Sequence, residues 1–199
     1  MQIYKTVLVG FGQIAQGYAE DSRYRKHVKC PTHAHAISKH PGFNLSAIVD
    51  PDSKAREKAH KDWGVEKVVP TVSDLDKLED FQVVVIATPP EVRIQILEAI
   101  PNLMAVLVEK PLATNLYLAE EFVEVCRNRN ILVQVNVTRR GDSVLRSLAA
   151  GMLADRVGEP RAIFGVYGNG LVNMGTHYVD LVRMLFGEVR STQALIEGP

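Results

Sequence analysis

The chain has 199 residues, with 23 Lys and Arg against 23 Asp and Glu, 46% hydrophobic residues and two cysteines. The even charge balance offers no basic field to a nucleic-acid backbone, and Cys30 and Cys126 make no disulfide framework, so no nucleic-acid partner is expected and a reducing, cytoplasmic setting fits. The longest apolar runs, 83–87 and 104–108, are far too short for a bilayer span, and the apolar start is broken by Gly10 and Gly12 without a signal-peptide layout, so no membrane partner is expected.

Residues 3–9 predict a buried strand, followed by Gly10-Phe11-Gly12-Gln13-Ile14-Ala15. A strand, then G-x-G-x-x-A, then a helix is the layout of a dinucleotide site. Gly10 permits a tight turn, Gly12 lets backbone approach a ligand, and Ala15 is small enough for close helix–strand packing. A helix from Gln13 to about residues 18–21 would offer its unpaired N–H groups to a pyrophosphate. The basic segment 22–31 breaks the pattern. Residues 32–40 predict a short helix capped by Thr32, and 43–49 a second strand ending at Asp50. A carboxylate there accepts hydrogen bonds from ribose hydroxyls. Its separation from the glycine turn exceeds the usual one, and the 22–31 segment accounts for the excess as an insertion. Lys54 or Arg56 would meet a 2′-phosphate, so NAD and NADP both stay open. A strand-ending turn with a helix cap is the plainer reading of Asp50-Pro51-Asp52.

Residues 53–63 predict a helix stopped by Gly64, 67–69 a short strand, and Ser73 or Asp74 a cap for the next turn. A strong apolar strand, 81–87, ends at Thr88-Pro89-Pro90, which would lie at the ligand edge of a doubly wound sheet. A helix over 93–100, a strand over 105–108, a helix over 115–128 capped by Thr114 and a strand over 131–135 complete the alternation. Non-alternating apolar strands separated by helices predict an α/β fold with a parallel sheet covered on both faces, over residues 1–135. From Asn136 the character changes. A helix over 144–153, a strand over 161–167, a helix from about 173–176 to Leu185 stopped by Gly187, and a strand over 189–196 predict a partial α+β domain, 136–199. Two such strands would leave open edges and an apolar face, which predicts a homo-oligomer, most simply a homodimer.

The glycine turn, Ala87-Thr88-Pro89-Pro90, Glu109-Lys110-Pro111 and the glycine-rich Asn173…His177…Asp180 segment occur in one order. In this the chain resembles the Gfo/Idh/MocA family of NAD(P)-dependent oxidoreductases, which act mainly on sugars, inositols and related polyols. The resemblance covers almost the whole chain. It implies a Rossmann domain followed by an α/β domain on a large open sheet, here truncated, and hydride exchange between NAD or NADP and a sugar-like or polyol substrate. It implies that Lys110 contacts substrate near the nicotinamide and that His177 contacts or deprotonates the reacting hydroxyl. The family commonly has an aspartate four residues before that histidine, where this chain has Asn173. Its Thr-Pro-Pro-x-x-His pattern here ends in Arg93.

The expected cofactor residues are therefore Gly10, Phe11, Gly12, Gln13, Ile14, Asp50, Thr88, Pro89, Glu109 and Lys110. The expected catalytic residues are Lys110, His177 and Asn173, and the expected substrate residues Arg139, Asn173, His177 and Asp180. Lys110 at a strand end would stabilise negative charge on the substrate oxygen, and His177 changes protonation near neutral pH. Asn173 on the same helical face as His177 would orient it without a charge. Asp180 would partly substitute for the missing aspartate or line domain packing. Glu109 reads as a structural or cofactor-side group rather than the base. Cys30-x-x-His33-x-His35 supplies too few convergent groups for a metal, and none is expected. A non-catalytic dinucleotide-binding regulator or assembly partner, and an incomplete piece of such an enzyme, are the alternatives.

Overall fold

The computed structural model describes residues 2–22 and 28–194. The chain divides into two compact units, 1–136 and 137–199. In the first, six strands form one parallel sheet: β1 (Tyr4–Val9), β2 (Phe43–Val49), β3 (Lys67–Val69), β4 (Val83–Ile86), β5 (Ala105–Val108) and β6 (Leu132–Val135), in the order β3-β2-β1-β4-β5-β6. Helices α1 (His33–Lys39), α2 (Ser53–Trp63), α3 (Arg93–Ala99) and α4 (Leu116–Asn128) make the crossovers. This is the Rossmann-type doubly wound arrangement. Strand order reverses between β1 and β4, and ligands of such sheets sit outside the strand ends at that point.

The period-two alternation of strand side chains builds a core on each face. Val7 and Val9 pack with Val84, Ile86, Val106 and Val108 beneath Leu97 of α3 and Phe122 of α4. Leu8 points the other way, with Ile48 and Val85, towards Ala34 and Ile37 of α1 and Ala59 of α2. Helix α2 starts where the Asp52 side chain accepts from the Lys54 N–H and stops at Gly64, φ 64°. Helix α4 is capped by Asn115, not Thr114: the Asn115 Oδ1 accepts from the Leu118 N–H at 2.9 Å, as an extended residue at that position permits.

The helix expected from Gln13 to residues 18–21 does not form. Bends and turns over 12–16 lead to a single 3₁₀ turn, Gly17–Ala19. The Gly12 carbonyl accepts from both Gln16 and Gly17, and the Tyr18 N–H reaches back to Gln13, so the ladder widens and stops. Its open carbonyls are taken over by the returning chain: the His33 N–H donates to Ile14 (3.2 Å) and the Ala34 N–H to Ala15 (3.0 Å). The helix after the glycine turn is in effect split: the chain turns away over residues 17–20, and His33 and Ala34 complete the ladder. Residues 23–27, half of the basic segment read at 22–31, lie outside the described residues.

The second unit contains α5 (Ser143–Ser147), a wide π-type segment Leu148–Met152, α6 (Leu153–Val157), a second π-type segment Gly170–Gly175 and α7 (Thr176–Phe186). The single helix expected over 144–153 is interrupted at Gly151, φ 127°. No strand occurs among the described residues of this unit. The expected strand 161–167 is irregular, as are residues 189–194 of the other, and its last two residues lie outside the described residues. A strand exists only as part of a ladder, and neither segment finds a partner ladder within its unit. The α+β character expected here is thus replaced by helices and irregular chain.

Candidate dinucleotide site

The glycine turn sits at the carboxyl end of β1. The Gly10 N–H donates to the Val49 carbonyl at 2.8 Å, which extends the β1–β2 ladder past the strand. Gly10 has φ +89°, and a Cβ there would lie 2.8 Å from the Ala87 backbone. Only glycine satisfies both conditions. Gly12 is different: a Cβ at that position would meet no protein atom within 4 Å. The space beside it belongs to whatever the turn binds. Phe11, between them, is buried against the edge of Trp63. Gln13 is exposed, and Ile14 is half-buried, its carbonyl held by His33.

Asp50 ends β2 where the turn needs a carboxylate. Its Oδ2 accepts from the Phe11 N–H at 2.6 Å and its Oδ1 from the Asp52 N–H at 2.8 Å. It borders two spaces. One is a cavity of about 650 Å³ walled by Gly10, Gly12, Val49, Pro70, Thr88 and Pro89. The other is a cleft of about 420 Å³ that includes Gln13, Lys54 and Lys58. Of the two cations expected to meet a 2′-phosphate, Lys54 borders this cleft, while Arg56 Nη1 donates to the Asp50 and Pro51 carbonyls, both at 2.8 Å; Lys58, also on the cleft, pairs with Glu20. The Thr88 Oγ1 is buried without a hydrogen-bond partner among the described residues. An orphan hydroxyl in the wall of a cavity is unusual unless a ligand satisfies it. Open space at Gly12, the fixed Asp50 carboxylate and the Thr88 hydroxyl fit a dinucleotide.

A second set of groups lies at the ends of β4 and β5. Arg93, the first residue of α3, is fully buried. Its Nε and Nη2 donate to the Thr88 carbonyl (3.2 and 2.7 Å), and its Nη1 to the carbonyls of Glu109 (2.6 Å), Pro111 and Leu112 (3.0 Å). One guanidinium thus joins the loops after β4 and β5. Burial lowers its pKa from the ordinary arginine value, and the charges of Glu109 and Glu91 partly offset this. Glu109 Oε1 accepts from His33 Nε2 at 2.8 Å and from Asn136 Nδ2 at 2.6 Å. Burial alone would push this carboxyl up. The hydrogen bonds from His33 and Asn136, the His33 charge and the Lys110 backbone N–H outweigh it, leaving the pKa below the ordinary carboxylate value. Lys110 is half-buried between Glu109 and a cis-linked Pro111.

Sequence reading singled out Glu109 and Lys110 but gave no role to Asn136, treated His33 as a rejected metal ligand, and noted Arg93 only as a departure from a pattern. Arg93 did carry a signal. It shares a helical stripe with Ile96 and Leu97, and a cation on an apolar stripe must find acceptors. Cys30, His33 and His35 do not converge: Cys30 is exposed, His33 binds Glu109, and His35 contacts Thr32 at 2.9 Å and the Trp63 ring.

In the second unit, half-buried Arg139 lies in the 3₁₀ turn Thr138–Gly141. Asn173 is exposed in the π-type segment and its carbonyl accepts from Thr176 Oγ1 at 2.8 Å, so it precedes α7 rather than sharing that helix with His177. His177 and Asp180 are on α7, and Asp180 Oδ1 accepts from Arg140 Nε at 2.8 Å. None of the described helices is long and apolar enough to cross a membrane.

A family model described as an oxidoreductase family with an NAD-binding Rossmann fold, Gfo/Idh/MocA, matches residues 4–137. D-apiose dehydrogenase of Paraburkholderia graminis is 24% identical over 175 residues, covering 79% of this chain and 47% of that protein. The chain spans about half the length of the curated relatives it matches. Among solved structures, an oxidoreductase from Agrobacterium radiobacter in complex with NAD+, L-tartaric acid and magnesium has a TM-score of 0.72 at 23% identity, covering 94% of this chain and 55% of that one. The WlbA dehydrogenase from Bordetella pertussis in complex with NADH and UDP-GlcNAcA has a TM-score of 0.69 at 22% identity, covering 94% of this chain and 59% of that one. The match runs through the glycine turn, Asp50 and the Glu109-Lys110-Pro111 loop, and the chain belongs to the Gfo/Idh/MocA oxidoreductase family, with its NAD(P)-binding Rossmann fold.

Proposed function

We propose that this chain serves an NAD-dependent dehydrogenase or reductase acting on a sugar, cyclitol or related polyol. The observation that carries the reading is the Asp50 carboxylate, fixed by the Phe11 and Asp52 amides in the wall of the cavity that Gly12 and Thr88 share. Each of its oxygens keeps a lone pair for a ribose hydroxyl. A 2′-phosphate would bring like charge against the same group, and Arg56 is engaged by backbone carbonyls, which leaves Lys54, on the cleft that Asp50 borders, to offset it. NAD is therefore preferred over NADP.

The nicotinamide ring supplies a hydride acceptor or donor when bound. In this reading Phe11, Gly12, Gln13 and Ile14 bind the pyrophosphate, and Thr88, Pro89 and Glu109 border the cofactor. Lys110 donates to the substrate oxygen and stabilises its charge, and His177 takes or returns the hydroxyl proton. Asn173, Arg139 and Asp180 bind substrate hydroxyls, the last while paired to Arg140. Relatives named as D-apiose dehydrogenase and as a structure holding UDP-GlcNAcA support sugar-like substrates. Free Cys30 and Cys126 support a reducing, cytoplasmic location. Phe164 and Val166, 91% and 82% exposed, support a homo-oligomer that covers the second unit. Fluorescence titration tests the cofactor: NADH binds at least about tenfold more tightly than NADPH, a gap of about 1.4 kcal/mol. Equal or reversed affinities overturn the NAD assignment. A screen of aldoses and inositols for NAD reduction at 340 nm tests the reaction.

A further inference from the structure

We propose that His33 is a positioning residue that couples the pyrophosphate turn to the Lys110 loop through Glu109. The proposal rests on the cofactor reading above and adds a route by which occupancy of the turn reaches Lys110.

His33 makes contacts in two directions. Its N–H and that of Ala34 hold the Ile14 and Ala15 carbonyls, which end the pyrophosphate turn. Its imidazole Nε2 meets Glu109 Oε1 at 2.8 Å. Since Glu109 is the acceptor, Nε2 carries the proton. The same oxygen takes a second hydrogen bond from Asn136 at the end of β6. Lys110 comes next, and the carbonyls on both sides of it, Glu109 and Pro111, accept from the single Nη1 of Arg93. Its backbone is therefore tied on both sides through Arg93.

Packing alone does not explain the pair. Burying a carboxylate costs solvation, and an apolar pair of the same volume would fill the space at least as well. Arg93 already joins the loops after β4 and β5. What the His33–Glu109 contact adds is the connection to the turn, across the split in the helix that follows it. A turn that closes on a pyrophosphate shifts the carbonyls that His33 holds, and the rigid imidazole passes the shift to Glu109.

The test uses the full chain with its lysines 13C-dimethylated and the Lys110 signal assigned by its loss in Lys110→Arg. The probe is ADP-ribose, which carries the pyrophosphate but no nicotinamide ring to touch Lys110 directly. In the wild type the Lys110 signal shifts as ADP-ribose saturates the site. In His33→Leu, ADP-ribose binds within about threefold of the wild type, a change of under about 0.7 kcal/mol, but the signal stays in place. His33→Gln, which keeps an N–H donor, restores the shift. A wild-type shift in His33→Leu overturns the coupling, as does a wild type that binds ADP-ribose without moving Lys110. In both cases the cofactor reading stands. A wild type that binds neither ADP-ribose nor NADH overturns both.

Discussion

The two units of this chain solve the problem of burying apolar surface very differently. In the first, strand alternation feeds two cores, and every fully buried apolar side chain among the described residues lies between Val7 and Ile131. In the second, no apolar side chain is fully buried among the described residues, while Phe164 and Val166 are almost wholly exposed. The binding geometry of the first unit is precise because its loops rest on a rigid sheet. Arg93 and Asp50 hold those loops by backbone contacts that a mobile scaffold would not maintain. The second unit carries ionisable pairs, Arg140 with Asp180 and Arg183 with Glu188, on α7 and the irregular chain and turn beside it, which lack such a floor.

Native-state hydrogen exchange should show the largest contrast. Amides of β1, β4 and β5 are expected to be protected by on the order of 10⁴-fold or more, tracking global unfolding, and those of 161–168 by less than about tenfold. Comparable protection in both would break the comparison. Next come core substitutions measured by urea denaturation. Phe122→Ala should cost about 3–5 kcal/mol, whereas Phe164→Ala should stay within about 0.5 kcal/mol.

The glycines sharpen the contrast between holding the fold and holding a ligand. Gly10→Ala meets the Ala87 backbone at a positive φ and should destabilise by about 1–3 kcal/mol. Gly12→Ala meets nothing in the protein, so stability should change by less than about 1 kcal/mol while NADH affinity falls at least about tenfold. A Gly12→Ala protein that binds NADH normally would remove the turn from the site.

Asn115→Ala should cost about 1 kcal/mol through the lost cap of α4. The pH effect at Glu109 has a definite sign. Its folded pKa is depressed, so its contribution is full above the unfolded carboxyl value and is lost as pH falls through the folded one. The groups facing it are His33, Asn136, Arg93 and the Lys110 backbone. The stability gap between wild type and Glu109→Gln should therefore shrink on acidification, as followed by urea unfolding at successive pH values. A gap that widens in acid contradicts the assignment.

Much of this molecule is dictated locally. The apolar runs specify six strands because a parallel sheet covered on both faces needs continuous apolar segments. The Gly10 turn follows from a backbone conformation and a close approach that only glycine allows. Asp52 and Gly64 mark the ends of α2 through their own backbone geometry. Asp50 was legible because the end of β2 is set by the strand before it.

Tertiary structure decided the rest. The helix after the glycine turn looked continuous in sequence, yet its ladder is completed by His33 and Ala34, residues that only folding brings there. The segment 161–167 has the composition of a strand and is none, because pairing depends on a neighbour and not on propensity. Arg93, His33, Glu109 and Asn136 are scattered over 104 positions of sequence, from 33 to 136. Their roles follow from burial: each charged or polar group taken from water had to find a partner, and only the packed sheet determined which one.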